Sequence, residues 1–387
     1  MSQADLTARH YATGQPLKVV LTEGRIAAIE NAASAPENLW FAPALVDLQV
    51  NGYGGVDFQQ DHLTVEQLLF AARQLRAAGC ARWLLTLITD EWPRLTARLR
   101  HLRALRSTSP ELQRAIAGWH LEGPFLSEKP GFHGAHDPAL MLDPTPAHIR
   151  ELREITGDDP LLLTLAPERK GAVEAIALAV SLGLKVSLGH TDASVEVLRE
   201  AVQAGATGFT HLANGCPRAL DRHDNILWRV LEMCPPASAV RPPGPVLTVS
   251  LIPDGHHVSP ALFRLIHRLL DPAAICYTTD AMAAAGAGPG RYTLGQLAVE
   301  VGADQIVRQP GQTNFAGSAL RPVDGVFRAA QMLGCPWQAV WPRASEVPAR
   351  LAGLNGGGAA GQESPWCLLS FDDAGRLDSI QVLPGGG

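Results

Sequence analysis

The chain has 387 residues, 46% of them hydrophobic, and a formal net charge of −6. So much apolar material supports a large core and excludes a disordered chain. No block of Lys and Arg is present to meet a nucleic-acid backbone, and no stretch approaches the ~18 apolar residues of a membrane span.

Residues 1–43 carry short alternating pieces such as LKVVLTEGRIAAIE, which predict strands and a hairpin. The opening MSQADLTARH is polar and unlike a secretory signal. The cysteines, at 80, 216, 234, 276, 335 and 367, form no CxxC pair, so a cysteine zinc site is not expected. Together these features predict a reduced, soluble, cytoplasmic protein with neither nucleic acid nor membrane as partner.

From residue 44 the rhythm changes, and short apolar runs alternate with segments of helical period. The runs are 44–52 (ALVDLQVNG), 81–89 (ARWLLTLIT), 115–123 (AIAGWHLEG), 161–168 (LLLTLAPE), 185–192 (KVSLGHTD), 208–214 (GFTHLAN), 245–255 (PVLTVSLIPDG) and 273–281 (AAICYTTDA). Helical candidates stand at 65–79, 194–205 and 322–334, and the first two end in the Gly expected just past a helix. Eight repeats of this kind predict a (β/α)8 TIM-like barrel rather than an open doubly wound sheet. No GxGxxG follows the first run, which disfavours dinucleotide binding.

The tail differs again. GGGAAGQ (356–362) reads as a flexible insert, WCLLSFDDAGRLDSIQVL (366–383) as a hairpin turning at 373–375, and the final PGGG as a loose end. Strand-like segments at both termini predict a small β-sandwich domain built from 1–43 plus 350–387. The barrel then spans 44–349.

In such a barrel, catalytic groups lie at the C-terminal ends of the strands. Here several runs end in residues that bind metal or move protons: Glu122, His190, His211, the DGHH segment with Asp254, His256 and His257, and Asp280. One Glu and two His make a three-ligand set that leaves a fourth position for water, and Asp280 would handle that water's proton. Each residue alone has a plainer reading, a strand-end His as hydrogen-bonded structure and Asp280 as a helix N-cap. Their recurrence at one strand end after another favours a metal site. The first run offers Gln49 and Asn51 where a second metal would want His-x-His, and amides are poor zinc ligands, so one metal is expected.

The segments PALVDLQVNGYGGVDF, HLEGPF, GAHDP, TLAPE, LGHTDAS, THLANG, DGHHV, TDA and AGSAL occur in the order seen in the N-acetylglucosamine-6-phosphate deacetylases of the amidohydrolase superfamily. The resemblance runs from about residue 43 to 354. It implies a barrel plus a terminal β-sandwich and hydrolysis of the N-acetyl group of N-acetylglucosamine 6-phosphate, giving glucosamine 6-phosphate and acetate. By motif, Glu122, His190 and His211 resemble the ligands of one divalent ion, Zn2+ first and Fe2+ as the alternative. Asp280 resembles the general base and acid, and His136 the group that polarises the acetyl carbonyl. His257 resembles a sugar contact, and Asn214 and Gly215 groups near the phosphate. Arg222 resembles the arginine that reaches a neighbouring subunit's substrate, which implies a homodimer; without the resemblance it reads as a solvated surface residue.

Three stretches depart from the family pattern. After the sixth strand HL-x-NAM is replaced by HLANGCPRALDRHDN, REPG by RHDN, and the 285–295 loop is of its own kind. These changes fall near the expected sugar-phosphate pocket. They keep open an amidohydrolase acting on another N-acyl amino sugar or N-acyl compound. A non-catalytic barrel protein is the remaining alternative, and the presence of every inferred ligand argues against it.

Overall fold

Eight parallel strands pair in chain order into one sheet: Leu45–Val50, Cys80–Ile88, Ile116–Glu122, Leu161–Leu165, Lys185–Leu188, Gly208–Phe209, Thr248–Leu251 and Ile275–Tyr277. Each falls within or within one residue of an expected run. The structure is a computed structural model and describes residues 3–237, 246–311, 315–354 and 364–385. The helices Val65–Ala77, Val195–Gln203 and Pro322–Leu333 occupy the predicted places. Local chemistry sets their ends: Thr64 and Gln67 form a capping box, Ser194 caps the second, and Gly334 stops the third in left-handed backbone.

Between the eighth strand and the first the regular ladder gives out, and side chains complete the ring. The two are joined by an isolated bridge, Val50 to Ala281, where the Asn51 N–H donates to the Ala281 carbonyl at 2.7 Å. Nearby, Asp47 is buried and accepts from the hydroxyls of Thr278 and Thr279, both at 2.6 Å, and from the Thr279 N–H at 3.2 Å. Burial raises the Asp47 pKa, and these donors oppose that rise. Inside the barrel, Leu48, Leu84, Leu162 and Cys276 form an apolar layer against Val347 and Leu351 of the helix Glu346–Leu351.

The termini build a second sheet, in the order Leu377–Leu383, Trp366–Phe371, Leu39–Pro43, Gln3–His10, Pro16–Thr22, Arg25–Asn31. Its N-terminal hairpin turns at Glu23 and Gly24, both with positive φ, as a two-residue hairpin turn requires. The sheet folds back on itself around Val19, Ile26, Phe41 and Trp366. Its outer edges meet where the Ile26 N–H donates to the Pro384 carbonyl at 3.0 Å and Arg25 to the Gly385 carbonyl at 3.1 Å. Those bonds correct the expectation of a loose PGGG end at residues 384 and 385. The expected insert 356–362 and the last two residues lie outside the described residues.

The 285–295 segment is also more ordered than a loop. Gly290–Leu294 pairs with Leu297–Val301, which pairs with Val307–Arg308. This small sheet packs Leu294, Val299 and Val307 on Met282 and Ala283, beside the mouth of the barrel. Among the described residues no helix is long and apolar enough to cross a membrane.

Removing the side-chain closure should loosen the ring. Asp47→Ala strands two buried hydroxyls and the N–H groups of Gln49 and Thr279, each loss worth roughly 1–3 kcal/mol. A fall of at least about 2 kcal/mol in stability by thermal or urea unfolding is expected. Unchanged unfolding would show that the seam is held by the backbone alone.

Candidate active site

Glu122 ends the third strand, and Gly123 turns the chain away with a φ of +90°. Only glycine fits there, because a Cβ would collide with Thr89 Oγ1. His190, His211 and Asp280 follow their strands in left-handed backbone, with φ of 51°, 30° and 51°. For non-glycine residues that costs on the order of 1–3 kcal/mol each. Three serines hold the strained positions. The Ser127 N–H donates to the His190 carbonyl at 3.0 Å, the His211 N–H donates to Ser250 Oγ at 2.7 Å, and the Ser318 N–H donates to the Asp280 carbonyl at 2.8 Å. The sixth strand therefore ends at Phe209, short of the expected 214. No helix follows Asp280, so the N-cap reading fails.

The four side chains meet. His211 Nε2 lies 2.7 Å and His190 Nε2 3.3 Å from Glu122 Oε1, the two nitrogens are 3.2 Å apart, and His136 Nε2 is 3.6 Å from Glu122 Oε2. Ligand atoms of Glu122, His136 and His190 all lie within 4.8 Å of one another, so distance alone would group these three. Hydrogen bonding separates the histidines. His190 Nδ1 is 2.8 Å from the Phe132 carbonyl, which only accepts, so its proton is on Nδ1 and Nε2 is a bare lone pair. The Thr89 N–H donates to His136 Nδ1, so that ring carries its proton on Nε2 and presents a donor. His190 thus presents a bare nitrogen to the cluster and His136 a hydrogen-bond donor.

The charges agree with this division. Burial lowers the His190 pKa to about 4, keeping the ring neutral. Although Glu122 is buried, the imidazoles around it, His211 foremost, hold it well below the usual carboxylate range. Burial lowers His211, but Glu122 outweighs it and raises the ring above its ordinary value. The Glu122 oxygen and the two imidazole nitrogens converge, with His211 Nδ1 buried and unpartnered. Lone pairs aimed together in this way fit a divalent cation between them.

Asp280 faces the cluster. Asn51 Nδ2 donates to its Oδ1 at 2.7 Å, while burial and the Glu122 charge raise its pKa to about 7. His257 is oriented by Asp254, with Nδ1 and Oδ2 2.6 Å apart. Glu122, His136, His190, His211, Asn214, Gly215, His257 and Asp280 all line one cavity of about 560 Å³. Arg222 does not line it and is exposed, and Gln49 and His256 are absent from the lining.

Sequence reading treated Asn51 only as a missing metal ligand, whereas it orients Asp280. It passed over Thr89, which fixes the tautomer of His136, although a polar residue at the end of the second strand was a visible signal. Glu168 was also missed. It accepts from the Thr191 hydroxyl and the Asp192 N–H, bracing the turn after His190. Beneath the cluster, His120, Thr164, Thr210 and Ser187 form a buried chain of 2.8 Å contacts.

No family model matches the chain. It is 33% identical to the mouse N-acetylglucosamine-6-phosphate deacetylase over 317 residues, 81% of this chain and 74% of the relative. It is 30% identical to the Escherichia coli O157:H7 N-acetylgalactosamine-6-phosphate deacetylase over 340 residues, 87% of this chain and 85% of the relative. A point mutant of N-acetyl-D-glucosamine-6-phosphate deacetylase from Mycobacterium smegmatis, solved with N-acetyl-D-glucosamine-6-phosphate, superposes with a TM-score of 0.83. That pair is 29% identical, covering 99% of this chain and 100% of the other.

Gly134, at a φ of +61°, leaves room for the His190 ring, and a Cβ there would lie 2.8 Å from His190 Cε1. Gly134→Ala should therefore weaken Zn2+ binding by about ten- to a hundredfold, as disturbing the support of a ligand does. Calorimetric titration of metal-stripped protein checks this, and an unchanged affinity would show that the ring yields freely.

Proposed function

This chain belongs to the N-acetylglucosamine-6-phosphate deacetylase family of amidohydrolases, and we propose that it hydrolyses the N-acetyl group of N-acetylglucosamine 6-phosphate to glucosamine 6-phosphate and acetate. The observation that carries this reading is the buried Glu122 ringed by His136, His190 and His211 and faced by Asp280. Glu122, His190 and His211 would hold one divalent ion, Zn2+ before Fe2+ for this mixed nitrogen and oxygen set. Bound there, the ion supplies Lewis acidity that polarises an acyl oxygen and acidifies a water.

The chain's own residues do the rest. Asp280, aimed by Asn51, takes the proton of the attacking water. His136 donates from Nε2 to the acyl oxygen as negative charge builds there. Asp280 then gives its proton to the departing nitrogen, the C–N bond breaks, and acetate and the amine leave. His257, Asn214 and Gly215 would hold the sugar and its phosphate. Arg222, exposed and outside its own cavity, would reach the neighbouring site of a homodimer, and the 42% exposed Trp228 beside it suits such a contact. Six free thiols suit a reduced, cytoplasmic setting.

The relative named for the galactosamine epimer aligns over the larger share of its own length, so both epimers belong in the assay. Acetate release from N-acetylglucosamine 6-phosphate, with N-acetylgalactosamine 6-phosphate alongside, tests the reading. Release from neither would overturn it. Asp280→Asn should retain metal and fold yet lose ~10²–10⁴-fold in turnover. Asp280 works as a base only when ionised, so wild-type kcat/KM should fall as pH drops through its pKa. A bound cation lowers that pKa, placing the acid limb below 7, and the limb should vanish in Asp280→Asn.

Elemental analysis should find one divalent ion per chain, and His190→Ala should lose it. Two tightly held ions, or full occupancy in His190→Ala, would contradict the ligand assignment.

A further inference from the structure

We infer that a separate anion site, suited to a phosphate group, lies where two barrel helices end, an inference independent of the deacetylase reading. A cavity of about 240 Å³ there is lined by Arg264 and Arg268 of the helix Pro260–Leu269 and by Arg343 of the short turn Trp341–Ala344. Among the described residues its wall carries no acid, and it shares no residue with the catalytic cavity. The helices Pro260–Leu269 and Pro322–Leu333 start after His257 and Ser318 and run back along the barrel, so their ends lie away from the mouth.

None of the three arginines forms an ion pair with a described residue. Arg264 gives one N–H to the Met332 carbonyl at 3.2 Å, and Arg343 gives one to the Ala339 carbonyl at 2.9 Å. A guanidinium has five N–H groups, so most remain unspent. Arg268 makes no hydrogen bond to a described residue. Arg343 Nε is buried without a partner, and a buried donor left unpaired is costly until an acceptor meets it. Arg264 and Arg268 alone, four apart on one helix, would be an ordinary solvated face. Arg343 comes from another segment, and the three together concentrate positive charge in one hollow of a chain whose net charge is −6. The imidazole beside them adds none. His267 Nδ1 lies 2.7 Å from the Phe263 carbonyl and Nε2 2.8 Å from the Tyr277 hydroxyl, and burial lowers its pKa to about 4. Guanidinium forks match phosphate with paired hydrogen bonds, and a phosphate carrying nearly two charges suits several of them at once. The hollow has room for a phosphate with a small organic group attached, not for a polymer.

Calorimetric titration at constant ionic strength reads the site, with inorganic phosphate in one arm and glycerol 3-phosphate in the other. Binding of both would show that the phosphate group alone suffices, and binding of the second only would assign the site to phosphate monoesters. Arg268→Ala and Arg343→Ala should each weaken that binding about ten- to a hundredfold. Arg268 is exposed, so its variant tests the site even if Arg343→Ala fails to fold. Arg73→Ala, which removes an arginine already paired with Glu111, should change nothing. Arg268→Ala should also keep the wild-type catalytic parameters, which separates this site from any phosphate held in the catalytic cavity. Bound phosphate should raise the midpoint of thermal unfolding in the wild type more than in Arg268→Ala. No binding in either arm, or equal affinity in the wild type and Arg268→Ala, would overturn the inference.

Discussion

Glu122 is a carboxylate almost wholly withdrawn from water, and much of the barrel is arranged to keep it ionised. A buried charge is tolerated only when paired and hydrogen-bonded. Three imidazoles surround it, His211 and His136 as the partners that can donate, and each must be aimed. His190 is aimed by the Phe132 carbonyl, His136 by Thr89, and His211 by a strained backbone pinned through Ser250. The strain at His190, His211 and Asp280 is thus part of the design of the centre. Extended backbone would continue the strands and carry these side chains away from Glu122.

The same cluster separates two acids. Glu122, surrounded by nitrogen, is held well below the ordinary carboxylate range, while Asp280, buried near that negative charge, is pushed up to about 7. Two carboxyls in one cavity therefore take different work, one permanently charged and one able to exchange a proton. Asn51 completes the division by fixing which oxygen of Asp280 is engaged.

The barrel was legible because apolar runs and helical segments alternate eight times, and period and punctuation are local properties. The centre was legible because chemistry-bearing residues recur at run ends. What escaped were relations between distant segments. Asp47 looked like one polar residue in an apolar run, yet it closes the ring to Thr278 and Thr279, 231 and 232 residues away. Asn51 was read for what it cannot ligate rather than for what it can orient. The left-handed turns at His211 and Asp280 also escaped, because neither residue carries the glycine signal that usually marks positive φ. The 285–295 segment hid a strand because its register exists only against 297–301.

The terminal sheet has a consequence for how the molecule is made. Asn38 and Phe371 touch through a hydrogen bond although 333 residues separate them. On a ribosome adding roughly 5–20 residues per second, the strand Leu39–Pro43 emerges well before its partner Trp366–Phe371. During that interval one edge of Leu39–Pro43 has no ladder to join, the situation in which strands recruit other chains. The barrel between them has time to form first, so the nascent N-terminal strands wait on a folded body. The late-made C-terminal hairpin, followed by the Pro384 and Gly385 carbonyls that accept from Ile26 and Arg25, is the segment that covers them.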